Sequence, residues 1–155
     1  MERVYLSVGS NLGDRASHLH KAQIFIEGFP QTRFLRSSSV YETDPVGGPP
    51  QGKYLNAAWE IETALAPGEL RERLKEVEEE IGRKRSEEKY APREIDLDII
   101  FYGNRVVEEP DLKIPHPRLQ ERGFVLEPLE ELIPDFVHPI LRKTVKELAV
   151  IVRRR

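Results

Sequence analysis

A chain of 155 residues with 39% apolar content is long enough to close one core, so a single domain spanning residues 1–155 is expected. The absence of cysteine excludes disulfides, thiolate zinc sites and a cysteine nucleophile, and suits the cytoplasm. A formal net charge of −3 speaks against a general nucleic-acid binder, and no apolar run approaches the length of a membrane span.

In chain order, Val4, Leu6 and Val8 alternate with Tyr5 and Ser7 and predict a first strand. Gly9-Ser10-Asn11-Leu12-Gly13-Asp14 breaks it, and its first three residues read as a strand-to-helix turn without chemistry. A helix follows from Asp14 to Gly28, with Ala16, Leu19, Ala22 and Ile26 on one face. Arg33 to Glu42 reads as a second strand, and the proline- and glycine-rich stretch from Thr43 to Lys53 as a loop. Tyr54 to Glu62 is a third strand, with Leu55, Ala57, Trp59 and Ile61 facing one way and Tyr54, Asn56 and Ala58 the other. Pro67 opens a helix striped by Leu70, Leu74, Val77 and Ile81 and stopped at Gly82. A charged loop leads into a fourth strand, Glu94 to Tyr102, and Gly103-Asn104 predicts a hairpin turn towards Val106-Val107. A short helix is expected near Pro128 to Leu132. Thr144-Val145-Lys146-Glu147 is a capping box for a last helix. The order βαββαβ predicts an α+β, ferredoxin-like sandwich: a mainly antiparallel sheet, helices on one face, the other face free for a site, and a C-terminal extension.

The sharpest chemical feature is Asp96-Leu97-Asp98. Strand alternation places Ile95, Leu97, Ile99 and Phe101 on one face and both aspartates on the other. Two carboxylates side by side repel, and a magnesium ion shared with substrate phosphates relieves that conflict. The same pattern also fits two solvated aspartates on an open face. The loop ahead of them supplies Arg83, Lys84, Arg85, Lys89 and Arg93, cations suited to phosphate but equally compatible with a charged surface loop. Gly47 to Lys53 satisfies the spacing of a phosphate-binding loop. Pro49 and Pro50 remove two N–H donors from it, however, Tyr54 stands where a serine or threonine is needed, and a strand follows. Tyr54 and Asn56 share a face and could stack on and bond a flat heterocycle.

Several segments together resemble the 6-hydroxymethyl-7,8-dihydropterin pyrophosphokinase family of folate biosynthesis. They are Gly9-Ser10-Asn11-Leu12-Gly13, Tyr54-Leu55-Asn56-Ala57-Ala58, Gly82-Arg83, Pro92-Arg93, Asp96-Leu97-Asp98, Pro115-His116-Pro117-Arg118 and Arg122-Gly123-Phe124. The resemblance runs from about Val4 to Leu129 and implies a ferredoxin-like fold and diphosphate transfer from ATP to the pterin, with AMP released. It implies that Asp96 and Asp98 hold two Mg²⁺ ions. Thr43, Val46, Tyr54, Asn56 and Phe124 would bind the pterin. Glu78, Arg85, Tyr90, His116 and Arg122 would bind ATP, and Arg83 and Arg93 would act in catalysis. The chain departs from the family pattern at Tyr90, where tryptophan is frequent, at Ala91, where glycine is usual, and at Asp44, where proline is frequent. The expected partners are ATP and 6-hydroxymethyl-7,8-dihydropterin, with no nucleic acid and no membrane, acting on a cytoplasmic monomer. The competing readings are a non-catalytic module that binds RNA or an effector, and a Mg-ATP phosphotransferase that makes ADP.

Overall fold

The computed structural model describes residues 1–45, 51–82 and 94–155. Four strands, β1 (Glu2–Ser10), β2 (Thr32–Ser37), β4 (Tyr54–Thr63) and β5 (Asp96–Tyr102), lie in the order β2-β4-β1-β5, and a short β3 (Tyr41–Thr43) also pairs with β4. Every pairing in this sheet is antiparallel. With α1 (Arg15–Glu27) between β1 and β2 and α2 (Pro67–Ile81) between β4 and β5, this is the ferredoxin-like order.

Local signals explain the two crossover helices. Asp14 caps α1 by accepting the Ser17 N–H at 3.1 Å. Pro67 starts α2, and Gly82, at φ 113°, ends it in a left-handed turn. Leu19, Ala22 and Ile26 from α1 and Leu70, Leu74 and Val77 from α2 pack on Val4, Leu6, Val8, Trp59, Ile61 and Leu97 as one core. Ala16, expected in the α1 stripe, is exposed instead.

The second face of the sheet is not simply open. Beyond β5 the chain forms a hairpin of β6 (Val107–Glu109) and β7 (Leu112–Ile114), a 3₁₀ turn at Leu119–Glu121, then α3 (Gly123–Leu132) and α4 (Val145–Arg153). Leu119, Val125, Leu126, Leu129, Val145, Leu148 and Ala149 cover Tyr5, Ala58, Ile100 and Phe101 in a second core. The C-terminal extension therefore roofs half of the face expected to be free.

Four local expectations are corrected. The second strand breaks into β2 and β3 because Ser38 turns onto β4: its N–H donates to the Ala58 carbonyl at 2.8 Å and its hydroxyl accepts the Ala58 N–H at 2.9 Å. Gly103 does not return the chain along β5; its N–H donates to the Arg3 carbonyl at 2.7 Å, and Val107 pairs with Ile114. The helix near Pro128 begins five residues earlier: Pro128 lies inside it, and the burial of Val125, Leu126, Leu129 and Leu132 in the second core holds the helix despite the lost N–H. Finally, β5 starts at Asp96 and carries a bulge. Leu6 pairs with Ile99 and Tyr5 with Phe101, so Ile100 is an extra residue. Phe101 therefore joins the second core, and Tyr102 returns to the first.

Candidate active site

Beyond the second core, the same face of the sheet carries small side chains, and Ser7, Gly9 and Asn56 there are buried. Register places Glu60, Tyr5 and Phe101 in one cross-strand row, then Ala58, Ser7 and Asp98, then Asn56, Gly9 and Asp96. Side chains shrink along β1 from tyrosine to serine to glycine. The first row and Ala58 lie under the C-terminal helices, and the rest of the second and third rows form a floor. A Cβ on Gly9 would lie 2.9 Å from Asn56 Oδ1 and 3.3 Å from Tyr54 Cδ1, so the position has no room for a side chain because neighbouring side chains lean over the backbone.

On this floor, Asn56 is 4% exposed and its amide nitrogen donates to Thr43 Oγ1. Thr43 pairs with Tyr54 across β3 and β4, so Thr43, Tyr54 and Asn56 form one corner. Asp96 and Asp98 stand across Gly9 and Ser7 from that corner, both partly exposed. Between them the Leu97 N–H points to the edge and donates to the buried carboxylate of Glu78 at 2.8 Å, which ties β5 to α2. Among the described residues no group of three or more potential metal ligands gathers.

A cavity of about 440 Å³ opens beside Asp98, between α2, β5 and the β6–β7 hairpin. Glu78, Asp98 and His116 line it, with Arg71, Lys75 and Lys113 on its basic wall. The β5 bulge helps build it: the carbonyl of the extra residue, Ile100, accepts the His116 N–H at 3.1 Å. His116 Nδ1 accepts the Arg118 N–H at 3.2 Å, which leaves Nε2 to carry the ring proton. Burial, then the nearby Arg122 and Arg118 charges, push its pKa down to about 4, so the ring is neutral at pH 7.

Phe124 and Arg122 meet at the start of α3, the guanidinium 5.7 Å from the ring centre. The expected site residues thus fall into three groups. Thr43, Tyr54, Asn56, Asp96 and Asp98 share the floor; Glu78 and His116 share the cavity with Asp98; Arg122 and Phe124 stand at the head of α3. Val46, Arg83, Arg85, Tyr90 and Arg93 lie outside the described residues.

Sequence reasoning missed Gly9, Ser7 and Asn11. Asn11 is buried, and its amide donates to Gln51 Oε1 at 2.6 Å and to the Gly52 carbonyl at 3.2 Å, so the turn after β1 holds the segment leading into Tyr54. Arg15 adds a bond to the Lys53 carbonyl at 2.8 Å. The available signal was the shared parity of Ser7 and Gly9 on a strand whose other face carries Val4, Leu6 and Val8.

A family model described as 7,8-dihydro-6-hydroxymethylpterin-pyrophosphokinase matches residues 5–134. The chain belongs to this family. It is 44% identical over 147 residues to 2-amino-4-hydroxy-6-hydroxymethyldihydropteridine pyrophosphokinase of Aquifex aeolicus, covering 95% of this chain and 90% of that one. The Bacillus subtilis protein of the same name is 44% identical over 128 residues, 83% of this chain and 76% of that protein. A crystal structure of Plasmodium falciparum HPPK-DHPS superposes with a TM-score of 0.75 at 16% identity. That likeness covers 97% of this chain but only 42% of the longer one, and it supports the fold. The pyrophosphokinase match ends at Asp135's neighbour Pro134, so α4 lies beyond it.

Proposed function

We propose that this pyrophosphokinase transfers the terminal diphosphate of ATP to the hydroxymethyl oxygen of 6-hydroxymethyl-7,8-dihydropterin and releases AMP. The observation that carries the reading is the juxtaposition on the floor: the Thr43–Tyr54–Asn56 corner and the Asp96–Asp98 pair face each other across Gly9 and Ser7, and Asp98 also lines the adjoining cavity.

On this reading the pterin lies against the floor. Asn56 and Thr43 bond its polar edge, Tyr54 and Phe124 flank its ring, and Val46 contacts the pterin as the family resemblance implies. ATP occupies the cavity, where His116 Nε2–H donates to a phosphate oxygen without carrying charge. Arg122 contributes positive charge, Glu78 keeps β5 in place beside the nucleotide, and Arg85 and Tyr90 contact ATP as the family resemblance implies. The hydroxymethyl oxygen bonds to the β-phosphorus, the bond from that phosphorus to the α-bridging oxygen breaks, AMP carries the oxygen away, and the hydroxyl proton leaves to solvent. Arg83 and Arg93 stabilise the charge that builds on the transferring group.

The donor set suits magnesium: two hard carboxylate oxygens on one face, with small neighbours at Ser7 and Gly9 leaving room for waters and phosphates. Asp96 and Asp98 would hold two such ions, which supply charge neutralisation and alignment of the phosphates. We read residues 1–155 as one domain that works as a cytoplasmic monomer, without nucleic acid or membrane. No helix among the described residues is long and apolar enough to cross a membrane.

The test is to incubate the protein with Mg-ATP and the pterin and identify the nucleotide product. AMP formed only when pterin is present is the expected result. ADP would overturn diphosphate transfer while keeping a phosphotransferase, and no product from folded protein would favour a binding module.

A further inference from the structure

The β3 strand is three residues long and has one partner strand, β4, yet it carries Thr43. Its lead-in is held from above by a carboxylate of α3. Glu131 accepts the Ser39 N–H at 2.9 Å and 3.1 Å on its two oxygens, the Ser39 hydroxyl at 3.2 Å and the Tyr41 hydroxyl at 2.7 Å. Tyr41 stands opposite Asn56 in the β3–β4 register. The other end of α3 carries Phe124 in its first turn.

We propose that Glu131 is a positioning residue for the pterin slot: by fixing Ser39 and Tyr41 to α3, it sets the spacing between the Thr43–Tyr54–Asn56 corner and Phe124. The inference rests on the pyrophosphokinase reading of that slot.

Glu131 is not what docks the helix. Val125, Leu126, Leu129 and Leu132 are buried beneath α3, and Arg36 donates to the Leu132 carbonyl at 2.8 Å while pairing with the buried Glu60. Those contacts anchor α3 to β2 and β4. Glu131 is an exposed residue that adds little buried area. What it supplies is a rigid link between one helix and one short edge strand, each of which contributes a wall of the same slot. The Tyr41 hydrogen bond, then the Ser39 bonds, hold its carboxyl below the ordinary range, so at neutral pH both oxygens are available as acceptors.

The test compares wild type, Glu131→Ala, Glu131→Gln, Tyr41→Phe and the Tyr41→Phe/Glu131→Ala double variant. Pterin-dependent AMP formation, the dissociation constant for the dihydropterin and that for a non-hydrolysable ATP analogue are measured for each. Glu131→Ala should weaken pterin binding by about tenfold, the equivalent of roughly 1.4 kcal/mol, and leave nucleotide binding within about twofold. Tyr41→Phe should act in the same direction, and the double variant should lose no more than the worse single one. Glu131→Gln, which keeps one acceptor oxygen, should fall between wild type and alanine, and it serves in place of the alanine variant if that one does not fold. Unchanged pterin affinity in folded Glu131 variants, or equal losses for pterin and nucleotide, would overturn the inference while leaving diphosphate transfer standing. Wild-type protein that forms no AMP overturns both.

Discussion

Replacing Gly9 with alanine tests the floor directly. The new methyl would sit 2.9 Å from Asn56 Oδ1 and 3.3 Å from Tyr54 Cδ1. The first contact is about half an ångström shorter than an ordinary one, so the Asn56 side chain must move. It has little freedom to do so, being 4% exposed and tied to Thr43 Oγ1 through its nitrogen. A shift of that size misaligns the amide proposed to bond the pterin edge. Losing two neutral hydrogen bonds, each contributing about 0.5–1.5 kcal/mol, weakens pterin binding by about 5- to 150-fold. Fold stability should change less. Alanine is easier to order in a strand by about 0.5–1 kcal/mol, and overpacking costs about 1–3 kcal/mol in opposition. The assay is steady-state AMP formation with pterin varied at saturating ATP, beside a thermal melt and a nucleotide-analogue titration. A folded Gly9→Ala protein with wild-type KM for pterin would refute the assignment of this strip as the pterin floor.

Three further outcomes follow from other parts of the structure. Asp98→Asn, which keeps shape but removes one carboxylate charge from the floor, should lower turnover by at least about a hundredfold and raise the Mg²⁺ requirement while leaving the melt unchanged; retained activity would remove Asp98 from the metal role. Burial pushes Glu60 up, but hydrogen bonds from Arg36 and Tyr5 at 2.7 Å each outweigh it and hold its pKa below the ordinary value. Its stabilisation is therefore full above about pH 4.5 and is lost as pH falls through the lower folded value. Glu60→Gln should cost about 1–3 kcal/mol in urea unfolding at pH 7 and progressively less in acid; a pH-independent difference would contradict the ion-pair account. His116 is neutral when folded, so it takes up a proton more readily unfolded, and it should cost stability as pH falls from about 6.5 towards 4. His116→Gln, which preserves a donor near Nε2, should lose only a few-fold in nucleotide affinity where His116→Ala loses about tenfold, and equal losses would argue against a neutral donor.

The elements written in local code were legible from the amino-acid order. Asp14, Pro67, Gly82 and the Thr144–Glu147 capping box mark helix ends at which short-range hydrogen bonds decide the matter, and each stands where expected. Strand parity likewise placed Asp96 and Asp98 on one face and Tyr54 with Asn56 on another strand's matching face. What stayed hidden depends on partners far along the chain. Ser38 splits a strand only because Ala58 lies opposite. Pro128 reads as a helix start but lies inside a helix whose burial comes from β1, β4 and α4. Gly9 reads as the opening of a turn, and only its register between Asn56 and Asp96 reveals it as the middle of a floor.

The extra residue in β5 also constrains how this strand can vary in length. Asp96 and Asp98 point to the floor on even numbers, whereas Tyr102, also even, points to the opposite core, where its hydroxyl donates to the Leu65 carbonyl. Ile100 is the phase change that lets both conditions hold at once. Deleting Ile100 would leave three steps from Asp98 to Tyr102, matching the three from Ser7 to Val4, so a strand without the bulge keeps both facings and loses instead the Ile100 side chain in the second core and the carbonyl that accepts the His116 N–H. Inserting one residue there without a second bulge, by contrast, would turn either the carboxylates or the tyrosine to the wrong face. Relatives should therefore carry between these two positions either this bulged spacing or one a single residue shorter.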